Sequence, residues 1–538
     1  MKKICKQCSS EFEVADGDLE FLGKVAPVFA GQKFNIPEPN ICYKCRLQRR
    51  FSWRNDITLY KTKCAKTGAP LISMFAPDSG ITVYEHDFWW SDKWDARDYG
   101  RDFDFSRPFF EQFSELEKAV PHANAIIFNS ENSVYTNYNT NAVNCYLCFA
   151  GNYSQDNMYC YNVEGSNDCV DCLFVWDSEL LYECVQCSKC YQCFYSSHSS
   201  NCSESAFLDD CIGCKNCFMC ANLRNKQYYI LNQKHSKEEY DRKLAEYLAR
   251  DYDECRKLWQ SEKKQFPRKA SCNLQAENCT GDYIRESKNC HDCYVMSKGG
   301  EDCRYIFNGF PHLKDSQDCT YVGEKAELLY ECLATGVNEV RILFGNLCLD
   351  GSSELIYCSC MFGAKNCFAC SNLRKAEYCI LNKQYTKEEY EKLVPRIIAH
   401  MQKTGEWGQF FPVEISPFKY NESCAGLHFP MGKDEVLANG WEWKEANEEI
   451  NAEPSGDSQI CEKSGKPFRF VQKELDFYKK FSLPLPKLCF FERHKGRWAA
   501  MNGWEMKEFA CAKCNGKVLS GSKSDEVYCE ECYLQEVD

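Results

Sequence analysis

Residues 141–395 alternate cysteines and aromatic side chains with Asn, Ser, Gly and Asp over short distances. This mixture is typical of short strands joined by turns rather than of helices. The cysteines also recur at nearly regular intervals, first as the set Cys145, Cys169, Cys190 and Cys211 and later, with a wider interval, as Cys290, Cys319 and Cys348. Regular intervals of roughly 20 to 30 residues predict stacked supersecondary units.

The same region is a duplication. The segment Lys215–Arg224 (KNCFMCANLR) recurs later in the chain as Lys365–Arg374 (KNCFACSNLR). Each copy ends in a capping box, beginning at Ser236 and at Thr386, where a hydroxyl and a glutamate satisfy free backbone N–H groups and a helix begins. We therefore predict a β-solenoid of about four coils in each copy, with cysteines stacked inside it and a helix capping each copy.

The chain is too long for one ordinary core, so we predict several domains. The short strands together with the capped helices predict the α+β fold class. Paired CxxC motifs near each end predict zinc-ribbon-like modules that flank the duplicated cysteine-rich β-solenoid and its capping helices. Within the linker, Ser106 and Pro108 predict the start of a helix that ends before Pro121. The predicted domains are an N-terminal zinc-ribbon-like module (1–56), an aromatic-acidic linker domain with a helix (57–140), the two solenoid copies with their helices (141–260 and 261–400), a connector (401–457), a degenerate ribbon-like module (458–505) and a C-terminal zinc ribbon (506–538).

Forty cysteines among 538 residues are the largest departure from an ordinary composition. The N-terminus, MKKICKQC, lacks the apolar stretch of a secretory signal, and no run of about 18 apolar residues is present to cross a bilayer. We therefore expect a cytoplasmic location, where cysteines are thiols, metal thiolates or redox pairs. The net charge of −13 argues against a broad nucleic-acid-coating surface but allows a small basic patch.

Two pairs of CxxC motifs carry the strongest chemical signal. At the C-terminus, two such motifs lie close together and can present four thiolates to one tetrahedral Zn²⁺. At the N-terminus the insert between the motifs is longer, and the spacing alone also allows iron–sulfur ligation. A closed four-sulfur site leaves no open position, so about two structural zinc ions are expected. The predicted ligands are Cys5, Cys8, Cys42, Cys45, Cys511, Cys514, Cys529 and Cys532.

A third module, residues 461–498, resembles the N-terminal one in its spacing of Phe, Leu and Pro residues around Cys461 and Cys489. Ser464 and Glu492 replace the second cysteine of each motif, so we expect this module to be free of metal unless His494 or Cys424 completes a site. The turn at Cys461 is also similar to the one that follows Cys64, and both are predicted to be hydrogen-bonded turns.

The cysteines of the repeat permit two interpretations. A run at spacing three, such as Cys184 to Cys193, cannot converge on one metal from an extended chain, and cysteine is among the most buried residue types. The favoured interpretation is therefore a small buried core residue. The alternative is a set of thiolate metal sites or a redox reservoir, although the cations that activate thiols are scarce between Cys145 and Cys214.

An arginine-tryptophan cluster follows the second N-terminal CxxC motif, and similar residues occur in the third module. Arginines could bind phosphates while a tryptophan stacks on bases, so single-stranded or structured RNA is a candidate ligand, and an ordinary protein surface is the alternative. The possible nucleic-acid contacts are Arg46, Arg49, Arg50, Trp53 and Arg54. A second aromatic cluster, Phe88 to Phe105, favours a packed core over a carbohydrate or peptide platform.

The chain contains no phosphate loop, nucleophile elbow, HExxH or dinucleotide fingerprint, so no catalytic residue and no small-molecule substrate is predicted. The segments 89–95 (WWSDKWD), 104–113 (DFSRPFFEQF), 222–224 (NLR) and 408–412 (GQFFP) resemble an uncharacterised family of cysteine-rich, zinc-ribbon-ended bacterial proteins of the candidate phyla radiation. The resemblance would span nearly the whole chain and implies the architecture without implying an activity.

Three functional hypotheses follow from the sequence. The first is a non-catalytic zinc-binding scaffold with a cysteine-laddered core that binds a macromolecular partner, protein or RNA, and no membrane. The second is an RNA- or ribosome-associated zinc-ribbon protein that uses the arginine-tryptophan clusters. The third is a thiol redox or metal-handling protein that uses the repeat cysteines.

Overall fold

The computed structural model describes residues 1–250, 252–445, 458–524 and 526–537, so the end of the predicted connector lies outside the described residues. Within these ranges the chain has a mixed α/β structure with twelve α-helices and thirty-six short strands. The helices are α1 (Asp16–Val25), α2 (Tyr43–Ser52), α3 (His86–Trp90), α4 (Phe109–Ala119), α5 (Lys237–Leu248), α6 (Tyr252–Glu262), α7 (Lys387–Thr404), α8 (Cys424–His428), α9 (Lys433–Ala438), α10 (Gln472–Lys480), α11 (Phe490–Ala500) and α12 (Glu530–Val537). None of these helices, over the described ranges, has both the length and the apolar character that crossing a bilayer requires.

The strands are short and form several separate sheets. Those before the duplicated region are Lys2–Ile4, Glu11–Glu13, Val28–Phe29, Gln32–Lys33, Tyr60–Lys63, Pro70–Ser73, Val83–Tyr84 and His122–Ala123. Those of the first copy are Ile127–Phe128, Asn139–Thr140, Tyr161–Glu164, Leu173–Trp176, Glu179–Tyr182, Val185–Ser188, Tyr191–Phe194, Ser203–Asp209, Lys215–Ala221, Gln227–Ile230 and Gln233–Lys234. Those of the second copy are Leu274–Glu277, Gly281–Lys288, Cys293–Met296, Phe307–Gly309, Gln317–Gly323, Glu327–Gly336, Val340–Leu343, Asn346–Leu349, Ser353–Ile356, Ser359–Phe362, Lys365–Phe368, Cys379–Ile380 and Lys383–Gln384. The last four are Gln459–Ile460, Pro467–Phe468, Lys507–Ala510 and Lys517–Ser520.

The chain divides into two compact units, and each unit combines one copy of the duplication with one end of the chain. The first unit contains Met1–Asn124 and Asn273–Glu448, and the second contains Ala125–Cys272 and Glu449–Asp538. The seven-part division expected from the sequence stays a prediction.

In the second unit, residues 127–234 form a parallel ladder, called the first ladder below. Outward-facing residues pair with those twelve positions later, as Glu131 does with Val143 and Val143 with Gln155. Every third residue from Asn129 to Leu231 has a left-handed φ. The chain therefore changes direction after each three-residue side, and four such sides make up one step of the ladder.

This step is about half the length expected from the cysteine spacing, so the prediction of about four coils in each copy is wrong. The intervals from Cys145 to Cys211 are multiples of three because every third side chain points inward. In the second ladder, which spans 274–384 of the first unit, most steps are one residue longer, as between Phe307 and Thr320. The wider interval between Cys290 and Cys319 is two such steps plus one three-residue side.

The inward-facing residues explain why cysteine is so abundant. Cys160 is 1% exposed, and its thiol donates to the carbonyl oxygens of Met158 (3.2 Å) and Cys169 (3.4 Å). Its sulfur also accepts the backbone N–H of Cys172, the inward-facing residue one step later. Elsewhere a serine fills the same role, since Ser166 Oγ accepts the N–H of Ser178 at 3.0 Å. At these positions an acceptor side chain one step earlier pairs with the inward-facing N–H.

Cysteine meets this need while staying apolar enough for a buried core. Burial raises the pKa of Cys148, Cys160 and Cys184 well above the usual value, so these thiols stay protonated. All forty cysteines lie in the described ranges, and each is outside any disulfide bond. The favoured interpretation of the repeat cysteines, small buried core residues, agrees with this burial.

The hydrogen-bond role predicts a difference between two substitutions at one position. We expect Cys160→Val, which is apolar and somewhat larger but removes the acceptor, to lower the free energy of unfolding by about 2 kcal/mol because the N–H of Cys172 is left buried and unpaired. Cys160→Ser keeps both hydrogen-bonding functions and should cost less than about 1 kcal/mol. Urea unfolding followed by circular dichroism measures both values. Equal costs, or a larger cost for serine, would contradict the assigned role.

The predicted capping boxes are confirmed. The backbone N–H of Glu239 donates to Ser236 Oγ (3.2 Å), and that of Glu389 donates to Thr386 Oγ1 (3.2 Å).

The helix predicted to start at Ser106 instead starts at Phe109 as α4. Its first N–H groups donate to the carboxylate of Glu406 at 2.9 and 2.8 Å. A residue that is distant in sequence supplies the cap, which is why the local sequence misplaced the start of the helix.

Candidate metal centres

The N-terminal site is built from one hairpin turn and the start of one helix. Cys5 and Cys8 lie in the turn between the first two strands, Cys42 is the N-cap residue of α2, and Cys45 lies in its first turn. Cys5, Cys42 and Cys45 are buried, whereas Cys8 is exposed. The long insert between the motifs holds α1 and a small hairpin, and it brings the two pairs together.

The sulfur positions fit a tetrahedral metal site. Cys5 Sγ lies 3.7 Å from Cys45 Sγ, and Cys8 Sγ lies 3.7 Å from Cys42 Sγ. All four sulfurs lie within 4.8 Å of one another. Zinc–sulfur bonds of about 2.3 Å at tetrahedral angles place the sulfurs about 3.8 Å apart. The cluster therefore matches a four-thiolate site without rearrangement.

Backbone donors prepare these sulfurs for a cation. The N–H groups of Cys8 and Cys42 lie 3.5 and 3.3 Å from Cys5 Sγ. The thiol of Cys45 donates to Cys42 and lowers the pKa of Cys42 to about 5, while the same contact and burial raise the pKa of Cys45. Hydrogen bonds to a thiolate favour its charged form. One sulfur is therefore held as an anion even in the metal-free protein.

The C-terminal site repeats this construction on the hairpin Lys507–Ala510 and Lys517–Ser520 and on α12. Cys514 Sγ lies 3.8 Å from Cys529 Sγ, and the N–H of Cys529 donates to Cys511 Sγ at 3.3 Å. Burial opposes ionisation, yet the backbone N–H groups of Cys514 and Cys529 hold the pKa of Cys511 at about 6. Cys532, in the first turn of α12, completes the quartet within 4.8 Å.

Within the described residues, these two quartets are the groups of three or more His, Cys, Asp or Glu side chains close enough to hold a metal ion. The structure thus brings together all eight predicted ligands. Four thiolates with no oxygen donor suit a borderline cation such as zinc, and because the quartet is closed no position is left for a substrate.

The third module has the same backbone but lacks two ligands. Its hairpin, its α10 and its α11 follow the order of the first module, and Cys489 is the N-cap residue of α11 as Cys42 is of α2. Ser464 Oγ lies 3.8 Å from Cys489 Sγ, and Glu492 pairs with Lys463 (2.9 Å) and Lys495 (3.2 Å). The lysines supply the positive charge that a metal would supply in the first module.

The two residues considered as extra ligands are engaged elsewhere. His494 is fully buried, and its Nε2 accepts the indole N–H of Trp498 at 2.9 Å. Cys424 belongs to the first unit, where it lies next to Asp56 and Arg54. Both side chains therefore have other partners in the structure, and the absence of metal from the third module stays a prediction.

A fourth module of this type was not found from the sequence. The N–H of Cys64 donates to Ala69 O (2.8 Å), and the N–H of Glu85, the N-cap residue of α3, donates to Cys64 Sγ (3.4 Å). Thr67 stands where the second cysteine would be, and its N–H also lies 3.4 Å from the sulfur. The one signal for this module in the sequence was the similarity of the turn at Cys64 to the turn at Cys461, because no second cysteine motif follows Cys64.

The arginines assigned to nucleic-acid contacts lie inside the first unit. Arg46 Nε donates to Asp318 (2.9 Å), and Arg49 and Arg50 donate to the two oxygens of Glu331 (2.9 and 3.0 Å). The side chains of Arg50, Asp318 and Glu331 are at most 1% exposed. These contacts, called the arginine clamp, fasten α2 to the second ladder and leave the guanidinium groups inaccessible to phosphates.

The remaining two residues of that cluster are also internal. Trp53 is 1% exposed and donates its indole N–H to Pro412 O at 3.0 Å. Arg54 donates to Asp56 at 2.7 Å and lies 3.8 Å above the ring of Tyr321. The structure therefore brings the five predicted residues together as a packed interface within the first unit, without presenting them to solvent.

An equivalent clamp occurs in the second unit. Arg493 and Arg497, on α11, donate to the two oxygens of Asp171 at 2.6 and 2.8 Å. Arg493 also lies 4.7 Å above the ring of Tyr159, as Arg46 lies 5.3 Å above that of Tyr305. In both units a ladder carboxylate, held on a residue with left-handed φ, receives two arginines spaced four positions apart on one helix.

The second aromatic cluster is a packed core. Trp89 is 1% exposed, and its ring lies 4.9 Å from that of Trp90 and 5.7 Å from that of Phe362. Arg374 lies 5.5 Å above Trp89 and donates to Trp90 O. The favoured interpretation of this cluster agrees with these contacts.

Neither the protein-family models nor the curated proteins compared with this chain gave a match. The function is therefore inferred from the geometry of the two quartets and of the two clamps.

Proposed function

We propose that this protein is a non-catalytic scaffold in which two structural zinc ions hold ribbon modules against two β-solenoids. The observation that carries the proposal is the combination of closed four-sulfur quartets with buried contacts to the ladders. In the first unit, a helix anchored by zinc at its first turn presents arginines to a ladder carboxylate. The metal thus positions a contact between elements, which is a structural role.

The C-terminal quartet supports the same role in the second unit. Cys532 and Tyr533 are neighbours on α12, and the hydroxyl of Tyr533 donates to Asp210 of the first ladder at 2.5 Å. The same hydroxyl lies 2.9 Å from the side-chain oxygen of Asn222. A metal ion that fixes Cys532 therefore also fixes a ladder contact.

The geometry of the ladders supports a solenoid. In the first ladder, a constant twelve-position step with a turn at every third residue winds the chain around an interior made mostly of cysteine, together with serine, asparagine, valine and leucine. Outward-facing residues are often polar, as in the hydrogen bond between Asn132 and Asn144 at 2.8 Å. Stacked repeats generate extended surfaces of this kind for binding other proteins. We therefore propose that the partner is a protein.

The state of the cysteines supports a cytoplasmic location in this proposal. All forty are outside disulfide bonds, and many lie in a core whose hydrogen bonds need the reduced thiol. Such thiols persist in a reducing compartment. A role as a metal reservoir is not favoured, because ladder thiols such as that of Cys160 are buried and already donate to backbone carbonyls.

A direct binding assay separates the scaffold from the RNA-associated alternative. Fluorescence anisotropy with labelled single-stranded and hairpin RNA at about 50 and 200 mM salt should give no saturable binding by the native zinc-loaded chain, because the arginines needed for phosphate contacts are buried. Saturable binding that weakens with salt would contradict the proposal. If Arg49→Gln, shown by circular dichroism to be folded, abolished such binding while the partly exposed control Arg107→Gln did not, the RNA-associated alternative would be supported.

A further inference from the structure

Most cysteines of this protein are either in the quartets or in the hydrogen-bonded ladders. Cys461 and Cys489 belong to neither group. They occupy the positions in the third module that Cys5 and Cys42 occupy in the first, where the sulfurs lie within 4.8 Å. The third module therefore has the fold of a metal site and holds two thiols close together. Ser464 and Glu492 occupy the positions of the other two ligands.

The surroundings of the two sulfurs differ. The hydroxyl of Ser464 and the backbone N–H groups of Lys463, Ser464 and Cys489 all donate to Cys461 Sγ. Although burial opposes it, these donors hold the pKa of Cys461 at about 6. Burial instead raises the pKa of Cys489, whose thiol contacts the sulfur of Cys461. At neutral pH the pair thus contains one thiolate and one thiol.

The rim of the turn is basic. Lys463 and Lys495 are more than half exposed and share the carboxylate of Glu492. Lys487, whose carbonyl oxygen accepts the N–H of Glu462 next to Cys461, is also more than half exposed and pairs with Asp253 at 3.3 Å. Nearby cations are what activated thiols require, and they also attract anionic reagents.

From this geometry we propose that Cys461 and Cys489 form a thiol–disulfide exchange site for small anionic disulfides. The Cys461 thiolate attacks one sulfur of the incoming disulfide, which forms a mixed disulfide and releases one thiolate. Cys489 then gives its proton to that thiolate and attacks Cys461 Sγ, which forms the Cys461–Cys489 bond and releases the second half of the small disulfide as a thiolate, which takes a proton from water. Two protein thiols are oxidised and one small disulfide is reduced to two thiols.

Cys64 provides a control within the same chain. Its sulfur accepts N–H groups from Thr67 and Glu85 in the same kind of turn, and burial is again outweighed so that its pKa is lowered. No second cysteine occupies the facing position of that module, which is Glu85. Cys64 can therefore retain a mixed disulfide but cannot resolve it.

The test treats the native, zinc-loaded full chain with oxidised glutathione, quenches with acid, alkylates and maps the peptides by mass spectrometry. We expect a Cys461–Cys489 disulfide that forms at least about tenfold faster than any ladder cysteine reacts. Cys489→Ser should instead retain one glutathione on Cys461. Any glutathione on Cys64 should remain there in both proteins.

Two outcomes would overturn the proposal. In one, Cys461 of the wild-type chain reacts no faster than the ladder cysteines, a measurement that needs no variant and does not depend on how Cys489→Ser folds. In the other, the native chain holds a third zinc ion that protects Cys461 and Cys489 until a chelator removes it. Neither outcome depends on the two quartets. A failure of this proposal can therefore be distinguished from a failure of the scaffold proposal.

Discussion

Replacing Cys45 by serine is expected to remove one zinc ion and to release the N-terminal module. Cys45 lies 3.7 Å from Cys5 Sγ and in the first turn of α2, the helix that carries the arginine clamp. Structural zinc sites contribute about 10 kcal/mol or more to folding, so the loss should lower the stability of this module by more than about 5 kcal/mol. Native mass spectrometry measures the zinc count, and limited proteolysis of residues 1–56 measures the release.

The matched control is Cys64→Ser. Cys64 lies in a turn of the same geometry but has no quartet, so this variant should keep both zinc ions and lose no more than about 1 kcal/mol. A Cys45→Ser protein that retained two zinc ions, or that resisted protease as the wild type does, would show that the N-terminal quartet is not a metal site.

Replacing Arg50 by methionine is expected to be the most damaging change away from the metal ligands. Arg50 donates to Thr320 (3.1 Å) and to Glu331 (3.0 Å), and it lies 3.6 Å from Asp318. Arg46 and Arg49 remain paired with Asp318 and Glu331. One oxygen of Glu331 and the hydroxyl of Thr320, however, lose a buried donor, which costs about 3 kcal/mol. Urea unfolding should show this loss. Arg50→Lys should recover little of it, because one ammonium cannot reproduce the two directions of donation.

Arg107→Met is the control for this prediction. Arg107 also pairs with two carboxylates, Glu111 and Glu115, but all three side chains are about one-third exposed or more. Exposed pairs contribute about 0–1 kcal/mol, so this variant should remain near wild-type stability. Equal losses for Arg50→Met and Arg107→Met would mean that the clamp does not hold α2 to the second ladder.

The metal quartets could be predicted from the sequence because their signal is local. A CxxC motif forms a turn whose backbone directs both sulfurs to one side. Two such turns form a four-sulfur site when the chain between them folds back and brings them together. The third module lacks a CxxC motif and was recognised from its spacing of Phe, Leu and Pro residues around Cys461 and Cys489. The module at Cys64 was missed because Thr67, Glu85 and Phe88 fill its other positions, and only the shared hydrogen bonds reveal it.

The ladders were harder to predict correctly. Short strands and buried cysteines follow from composition, but the step length does not, because inward positions recur at every third residue and cysteine fills only some of them. The role of Arg46 and Arg50 could not be predicted, since their partners Asp318 and Glu331 lie in the second ladder, far away along the chain. A basic-aromatic run has the same sequence whether it faces RNA or a buried carboxylate.

The central claim is that eight thiolates hold two structural zinc ions. The most direct test is native mass spectrometry of the full chain, purified without added chelator, combined with elemental analysis of the same sample. We expect a mass of the chain plus two zinc ions, with the eight quartet cysteines protected from alkylation until the metal is removed. A chain without metal, or one whose bound ions leave those eight cysteines reactive, would contradict it.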